Sequence, residues 1–269
     1  MSVINTNIQS LVAQNAIKVN GRAMSTAMEQ LATGSRINSA KDDAAGMAIS
    51  ENMGAQIRSL NMAVRNANDG ISLAQTAEGA MVEISDMLQR MRELAVQASS
   101  GTLSDSQREY LAVEFDALDS QMQNTVSSTK WNGFSVLTNG SSDINFTIQT
   151  GADANQTVVV TSKYISLAPA ADISRASSAS TSIAQVDSAL GQVNAARASL
   201  GAVINRLASV SDNVTNISQN LSESRSRVRD TDYGAATAEL ARTMIIQQAG
   251  TAVLAQANQM PQSVLALLR

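Results

Sequence analysis

The side chains that most often carry catalysis are scarce in this sequence. The chain has 269 residues, and neither histidine nor cysteine is among them. Histidine is the usual general base near neutral pH, and cysteine is the usual thiol nucleophile and soft metal ligand. Acid-base chemistry is therefore left to carboxylates and lysines.

Asp42 and Asp43 form a carboxylate pair that could bind a metal ion or exchange a proton. The sequence offers them no third ligand, and they stand in a run of small and polar residues. Capping of a following helix explains them more simply, because aspartate oxygens accept hydrogen bonds from the first backbone amides of a helix. With no phosphate loop or nucleophile motif elsewhere, we expect no enzyme, no cofactor and no metal site.

Charge and hydropathy give little support to two other classes of partner. The formal net charge is −4, and the basic residues are scattered rather than gathered into a stripe, so nucleic acid is not an expected partner. No run approaches the roughly 18 apolar residues of a membrane span. The opening segment lacks the basic start and apolar stretch of a signal peptide, which predicts no cleaved signal.

Apolar residues at both ends of the chain recur at helical spacing. These stripes could carry a function that depends on contacts between proteins rather than on catalysis. The 3-and-4 spacing predicts a helix at each terminus, and the two helices are expected to pair with each other. A two-helix pair cannot cover all of this surface, so other copies must supply the rest, and identical contacts that do not close give a fibre. The predicted inter-subunit stripe comprises Ile4, Ile8, Leu11, Ile246, Val253, Met260, Leu265 and Leu268.

Long helices are also predicted between the ends. The spacing of apolar residues predicts helices over about 44–99 and 104–127, and a coiled-coil pattern over 183–228. Strands are predicted at 134–137, 144–149 and 157–165, where the apolar period shortens to two and turn residues intervene. Gly34 and the residues up to 46 predict a break, with Asp42 or Asp43 capping the next helix.

The expected fold class is therefore mainly α. We predict a long antiparallel coiled coil or helical bundle with a small β-hairpin region at about 130–168 and with the termini paired as helices. Residues 1–43 with 230–269 are expected to form a terminal-helix core domain, and residues 44–229 a helical bundle. Only 3% of the residues are aromatic, which favours slender helices over a thick core.

Four long segments resemble bacterial flagellin, and they follow one another in the order found in that family. They read VINTNIQSLVAQNAI, EQLATGSRINSAKDDAAGMAIS, LQRMRELAVQASSGTLSDSQR and RVRDTDYGAATAELARTMIIQQAGTAVLAQANQMPQSVLALLR. The likeness covers roughly residues 1–140 and 180–269. It implies a structural subunit that polymerises into the flagellar filament for swimming motility, with the terminal helices forming the inner tube.

The resemblance also implies partners and a location. The partners would be other copies of the chain, the flagellar export apparatus, an export chaperone, the filament cap and the hook-junction proteins. The protein would be secreted to the extracellular flagellum without a cleaved signal peptide. Because few residues separate the strands from the second coiled-coil segment, the variable outer domain of many flagellins is expected to be absent.

One surface patch follows from the resemblance to flagellins of the enteric type. The segment QRMRELAVQ is similar to the one recognised by the innate immune receptor Toll-like receptor 5 (TLR5). The implied receptor contacts are Gln89, Arg90, Leu94, Gln97 and Glu114. A plainer explanation gives these residues ordinary roles in the core, in solvent or against the next subunit.

Two alternatives from other classes stay open at this point. A flagellar hook–filament junction protein would share the terminal helices but act as an adaptor in few copies. A coiled-coil signalling rod, such as the cytoplasmic part of a chemoreceptor, has similar heptads but should lack the β segment and the apolar C-terminal end.

Overall fold

The computed structural model describes residues 6–138, 142–165 and 172–266, and side chains in this part up to residue 259. Helices dominate it, and two short hairpins stand between the third and fourth helices. In chain order the elements are α1 (Ile8–Thr33), α2 (Ala44–Ala98), α3 (Asp105–Ser128), β1 (Lys130–Trp131), β2 (Phe134–Ser135), β3 (Ile144–Gln149), β4 (Thr157–Ser162), α4 (Ala176–Arg229) and α5 (Tyr233–Ala266).

The mainly helical fold class is confirmed, and two strand predictions need correction. The hairpin of β1 and β2 adds a strand at Lys130–Trp131 that the sequence did not predict, because two residues are too few for a period to show. The strand predicted at 134–137 ends at Ser135, and the last strand ends at Ser162 rather than at 165. Helix α4 begins at Ala176, seven residues before the first apolar position of the predicted series at Ile183.

The break between α1 and α2 forms where it was predicted. Gly34 closes α1 in the left-handed conformation at φ 70°, and its N–H donates to the carbonyl of Gln30 at 2.9 Å. Asp43 caps α2 by accepting the N–H of Gly46 at 2.9 Å. Asp42 instead holds the loop, and the hydroxyl of Ser39 donating to its carboxylate keeps the pKa of Asp42 below its usual value.

Helices α2 and α4 pack antiparallel in a fixed register. Arg92 Nε donates to Asp187 Oδ1 at 2.6 Å, and Ser218 Oγ donates to Asn61 Oδ1 at 3.0 Å. The same number of residues separates the two contacts on each helix, so neither helix is shifted between them. Between the helices lies a continuous apolar core that includes Met81, Ile84, Leu88, Met91, Val193, Leu200 and Leu207.

Helix α3 turns back along α2 after a short, strongly capped loop. Ser104 and Gln107 form a capping box, in which each side chain bonds the backbone N–H of the other. Phe115, Met122 and Val126 of α3 then enter the same core.

The hairpins pack against this helical core. Asn132 and Gly133, both at positive φ, form the two-residue turn between β1 and β2. Strands β3 and β4 pair antiparallel from Ile144–Ser162 to Gln149–Thr157. Asn66 of α2 donates to the carbonyl of Gln149 at 3.1 Å, which ties the hairpin to the helix.

The chain divides into two compact units. One comprises Met1–Ala55 with Asn220–Arg269, and the other comprises Gln56–Gln219. The first unit contains α1, α5 and one end each of α2 and α4. The domain boundaries near residues 43 and 230 stay a prediction from the sequence.

Arg108 is a buried residue whose loss should destabilise the helical core. Its guanidinium donates to the carbonyls of Ala98 and Ser100, both at 2.9 Å, and to Asp105 Oδ1 at 2.7 Å. Arg108→Ala leaves the end of α2 without these donors, so we expect the free energy of unfolding to fall by about 2–3 kcal/mol in urea denaturation. The matched control Arg227→Ala removes only an exposed pair with Glu223 and should cost less than about 0.5 kcal/mol.

Candidate self-assembly surface

Helices α1 and α5 lie antiparallel and are joined by two asparagine side chains. Asn7 Nδ2 donates to the carbonyl of Ala257, and Asn20 Nδ2 donates to the carbonyl of Thr243, both at 2.7 Å. The segment that follows α1 meets the segment between α4 and α5 at Gly34, whose carbonyl accepts the N–H of Thr231 at 3.0 Å.

The surface between α1 and α5 is built of small and polar side chains. At Gly250 the helices approach so closely that an added Cβ would lie 2.9 Å from Cγ1 of Ile17. Among the described side chains of the two helices, no large apolar one is fully buried. Those that are buried are Ser10, Asn20, Ala27, Ala236, Thr243 and Ala257.

Ten large apolar side chains of the pair lie exposed on its outside instead. Ile8 is 58% exposed, Val253 is 59% exposed and Ile245 is 66% exposed. Surface of this kind on a soluble chain marks an interaction site. The outward-facing set is Ile8, Leu11, Val12, Val19 and Met28 on α1, and Tyr233, Met244, Ile245, Ile246 and Val253 on α5.

Helix α5 exposes apolar side chains on more than one side near its middle. Met244, Ile245 and Ile246 are consecutive, so they point in three directions around the axis, and all three are exposed. A helix that is hydrophobic on every side is stable only when it is surrounded. One neighbouring helix, α1, covers only one side of it.

A shallow groove runs between α1 and α5 near the free ends of the helices. Its volume is about 570 Å³, and its apolar walls include Ile8, Val12 and Val253. Gln9 and Gln256 add polar atoms at its margin. An apolar side chain from another molecule could be received here.

The predicted stripe residues can now be placed. Ile8, Leu11, Ile246 and Val253 all lie exposed on the outside of the helix pair. Ile4 and Leu268 fall outside the described residues. Met260 and Leu265 belong to α5, but their side chains fall outside the described part.

The sequence reasoning missed Val12 and Ile245, which are among the most exposed apolar side chains of the pair. Val12 follows Ile8 by four residues and Ile245 precedes Val253 by eight, so both continue the 3-and-4 spacing beside the stripe residues. Their signal was the adjacent apolar pairs Leu11-Val12 and Ile245-Ile246, which widen the apolar face beyond a single row.

The five residues of the receptor patch lie on neighbouring turns of α2 and α3. Gln89, Arg90, Gln97 and Glu114 are exposed, whereas Leu94 is 1% exposed and lies in the core. The side chain of Leu94 is therefore not available to a partner in this conformation.

Arg90 is the charged centre of this patch. Its guanidinium donates to Glu93 and to Glu114, both at 2.9 Å, and these bonds raise the pKa of Arg90 above its usual value, the one to Glu93 most. The paired groups are exposed, so the ion pairs orient the side chain more than they stabilise the fold.

Sites for metals and membranes were sought in the described part of the chain. It contains no group of three or more acidic, histidine or cysteine side chains arranged to hold a metal ion. None of its helices is both long and apolar enough to cross a membrane.

Comparison with known proteins identifies this arrangement of helices. Residues 4–142 match the model of the bacterial flagellin N-terminal helical region, and residues 183–268 match that of the C-terminal helical region. The chain belongs to the bacterial flagellin family. A flagellin of Halalkalibacterium halodurans is 41% identical over 99% of this chain and 100% of its own length, and one of Xenorhabdus nematophila is 40% identical over 100% and 99%.

Solved structures agree with the fold. A protein from Vibrio parahaemolyticus assigned to the flagellar hook-associated class aligns with a TM-score of 0.58 over 70% of this flagellin and 100% of its own chain, at 13% identity. At that identity the likeness concerns the fold alone. The full-length flagellin relatives make this chain a structural subunit of the extracellular flagellar filament, which serves motility, and nothing favours the hook-junction alternative.

The close approach at Gly250 should make this flagellin sensitive to a single methyl group. Alanine stabilises a helix over glycine by up to about 1 kcal/mol, and Gly21 of α1 has open space for a Cβ. Gly21→Ala should therefore raise the temperature at which filaments depolymerise, measured by light scattering. Gly250→Ala gains the same helix propensity, but its methyl group meets Ile17. Its midpoint temperature of depolymerisation should therefore be lower than that of Gly21→Ala. Equal midpoints would contradict the tight contact.

Proposed function

We propose that the filament grows because the outward apolar side chains of α1 and α5 become buried between successive copies of the chain. The single observation behind this proposal is the inverted pairing of the two helices. Small and polar residues such as Asn20 and Thr243 lie inside, and large apolar residues such as Ile245 and Val253 lie outside.

The energy available supports the proposal. A large apolar side chain contributes about 1.5–3 kcal/mol when it passes fully from water into a packed interior. Side chains that are already half covered contribute roughly half of that. Ten such residues on two helices contribute roughly 10 kcal/mol toward the conformational entropy that is lost when the helices become ordered on docking.

The geometry also favours an open polymer over a closed dimer. The groove lined by Ile8, Val12 and Val253 lies near the helix ends, whereas Met28, Ile49 and Tyr233 are exposed near the opposite end of the pair. Two different patches on one molecule give head-to-tail contacts, and such contacts produce a helical fibre when the rotation does not close.

We further propose the domain roles and partners that the family implies. Residues 1–43 with 230–269 line the inner tube, residues 44–229 form the shell outside it, and a variable outer domain is absent. Export proceeds through the flagellar apparatus with its chaperone, without a cleaved signal peptide, and the cap and hook-junction proteins bind the filament ends. The chain acts as a structural protein rather than as an enzyme.

Substituting both apolar walls of the groove tests the assembly proposal. Ile8→Ser with Val253→Ser removes roughly 2 kcal/mol of apolar burial per added subunit, which corresponds to a critical concentration for polymerisation about 30-fold higher. The measurement is elongation of short filament seeds by purified subunit, followed by light scattering and negative-stain microscopy.

Val159→Ser serves as the control, because Val159 is also exposed but lies on β4. It should polymerise at the concentration of the unchanged chain. An unchanged critical concentration for the double variant, with normal filaments, would remove the support for this surface.

We also propose that the patch of Gln89, Arg90, Gln97 and Glu114 is recognised by TLR5. Its support is the likeness of this segment to enteric flagellins and the exposure of these four side chains. Leu94 supports the patch from the core.

Arg90→Ala is the sharpest test of receptor recognition. It removes a charged centre from the proposed contact, so about tenfold more monomer should be needed to activate a TLR5 reporter cell. Arg92→Ala is a matched control, since Arg92 is two residues away and bonds Asp187 of α4. Equal potency of the two variants, or no activation by the unchanged chain, would contradict the proposal.

A further inference from the structure

Asn20 is a polar side chain buried between two helices that are otherwise joined by small residues. It is 9% exposed, whereas Asn15, five residues earlier on the same helix, is exposed. Besides its bond to the carbonyl of Thr243, its Nδ2 lies 3.3 Å from Oε1 of Gln247. This amide is thus the most specific contact in the buried surface between α1 and α5.

The other buried side chains say little about how far one helix is shifted along the other. Ser10, Ala27, Ala236 and Ala257 are small and alike. A shift of one helical turn would bring one of these small residues opposite another. Apart from the contact of Ile17 with Gly250, the asparagines are therefore the contacts that can distinguish neighbouring registers.

The asparagines distinguish the observed register from its neighbours. A shift of one turn in one direction would set Asn20 beside Leu240 and Asn7 beside Leu254, both half-buried apolar side chains. A shift in the other direction would press Asn20 onto the side chain of Gln247. In each case a larger side chain takes the place of Thr243 beside Asn20 and hinders the approach of its amide to the next carbonyl of the helix, and a buried donor left without an acceptor is strongly unfavourable.

We propose that Asn20, assisted by Asn7, sets the register of the α1–α5 pair and thereby keeps the assembly surface identical on every subunit. A single buried asparagine fixes the register of other helix pairs in the same way. The inference rests on the proposed mode of assembly, because a filament needs each subunit to present its outer residues at the same height.

Engineered disulfides can report the register directly, since the natural chain contains no cysteine. The pair Ile17→Cys and Gly250→Cys reports the observed register, because a Cβ at 250 lies 2.9 Å from the Cγ1 position of residue 17. The pairs Ile17→Cys with Ile246→Cys and Ile17→Cys with Val253→Cys report shifts of about one turn either way. Each pair is oxidised in filaments, and the cross-linked fraction is measured by gel electrophoresis and peptide mass spectrometry.

Asn20→Ala should move chains out of the observed register. The ratio of the 17–250 cross-link to the two shifted cross-links should be about fivefold lower, or lower still, than in the chain that keeps Asn20. Asn15→Ala is the matched control, an exposed asparagine on the same helix, and should leave the ratio unchanged. A ratio unaltered by Asn20→Ala, and by Asn20→Ala with Asn7→Ala, would overturn the inference.

A rescue experiment separates register from stability. Asn20→Ala is expected to slow the elongation of seeds. When the 17–250 disulfide is formed beforehand, the Asn20→Ala chain should elongate seeds as fast as the chain that has the same disulfide and keeps Asn20. Locked Asn20→Ala chains that stay slow would show a role other than register and would overturn the inference. The unchanged chain is measured in parallel. If it does not elongate seeds, the proposed mode of assembly fails, and that result is distinct from a failure of the register inference.

Discussion

Two helices that contact each other mainly through small and polar side chains do not bury their large apolar residues between them. In α1 and α5 the fully buried side chains are Asn20, Thr243, a serine and a few alanines, and Ile17 packs so closely on Gly250 that a larger residue at 250 would not fit. Residues such as Ile8 and Ile245 are therefore directed outward. The isolated subunit carries an unfavourable surface, and the proposed mode of assembly removes it. In this sense the filament completes a core that the single chain leaves unfinished.

The rest of the chain follows the opposite rule. Helices α2, α3 and α4 place Met81, Leu88, Phe115 and Leu207 between them and bury them almost completely. This part satisfies its apolar surface internally and is expected to be stable alone. Its charged pairs, such as Arg92 with Asp187, are about half exposed and guide orientation more than they add stability. One chain thus combines a self-sufficient bundle with a helix pair that needs neighbours.

Much of the fold followed from hydrophobic periodicity, because α2 and α4 keep one apolar face over many turns. The cap at Asp43 and the break at Gly34 followed from backbone preferences that are local to those residues. Periodicity failed where the decisive residues were not apolar. The stripe that includes Ile8 and Val253 could be found from the sequence. The occupation of the buried side by small residues could not, since alanine and serine are common on both the buried and the exposed surfaces of helices. Arg108 and Asn20 were missed for the same reason, because a buried polar group is identified only once the fold has brought its carbonyl acceptors into place.

The hydrogen bonds between α1 and α5 join residues 223 to 250 positions apart. Closing so long a loop in a disordered chain is entropically costly and slow, whereas the hairpin of α2 and α4 can close progressively from its middle. Once that hairpin has formed, Arg229 lies beside Glu51 and its carbonyl accepts the N–H of Arg36, so the remaining distance is short. The terminal pair is then the last part to form, and it needs the final stretch of the polypeptide. A chain whose C-terminal helix is not yet in place therefore lacks half of the surface by which we propose that subunits join.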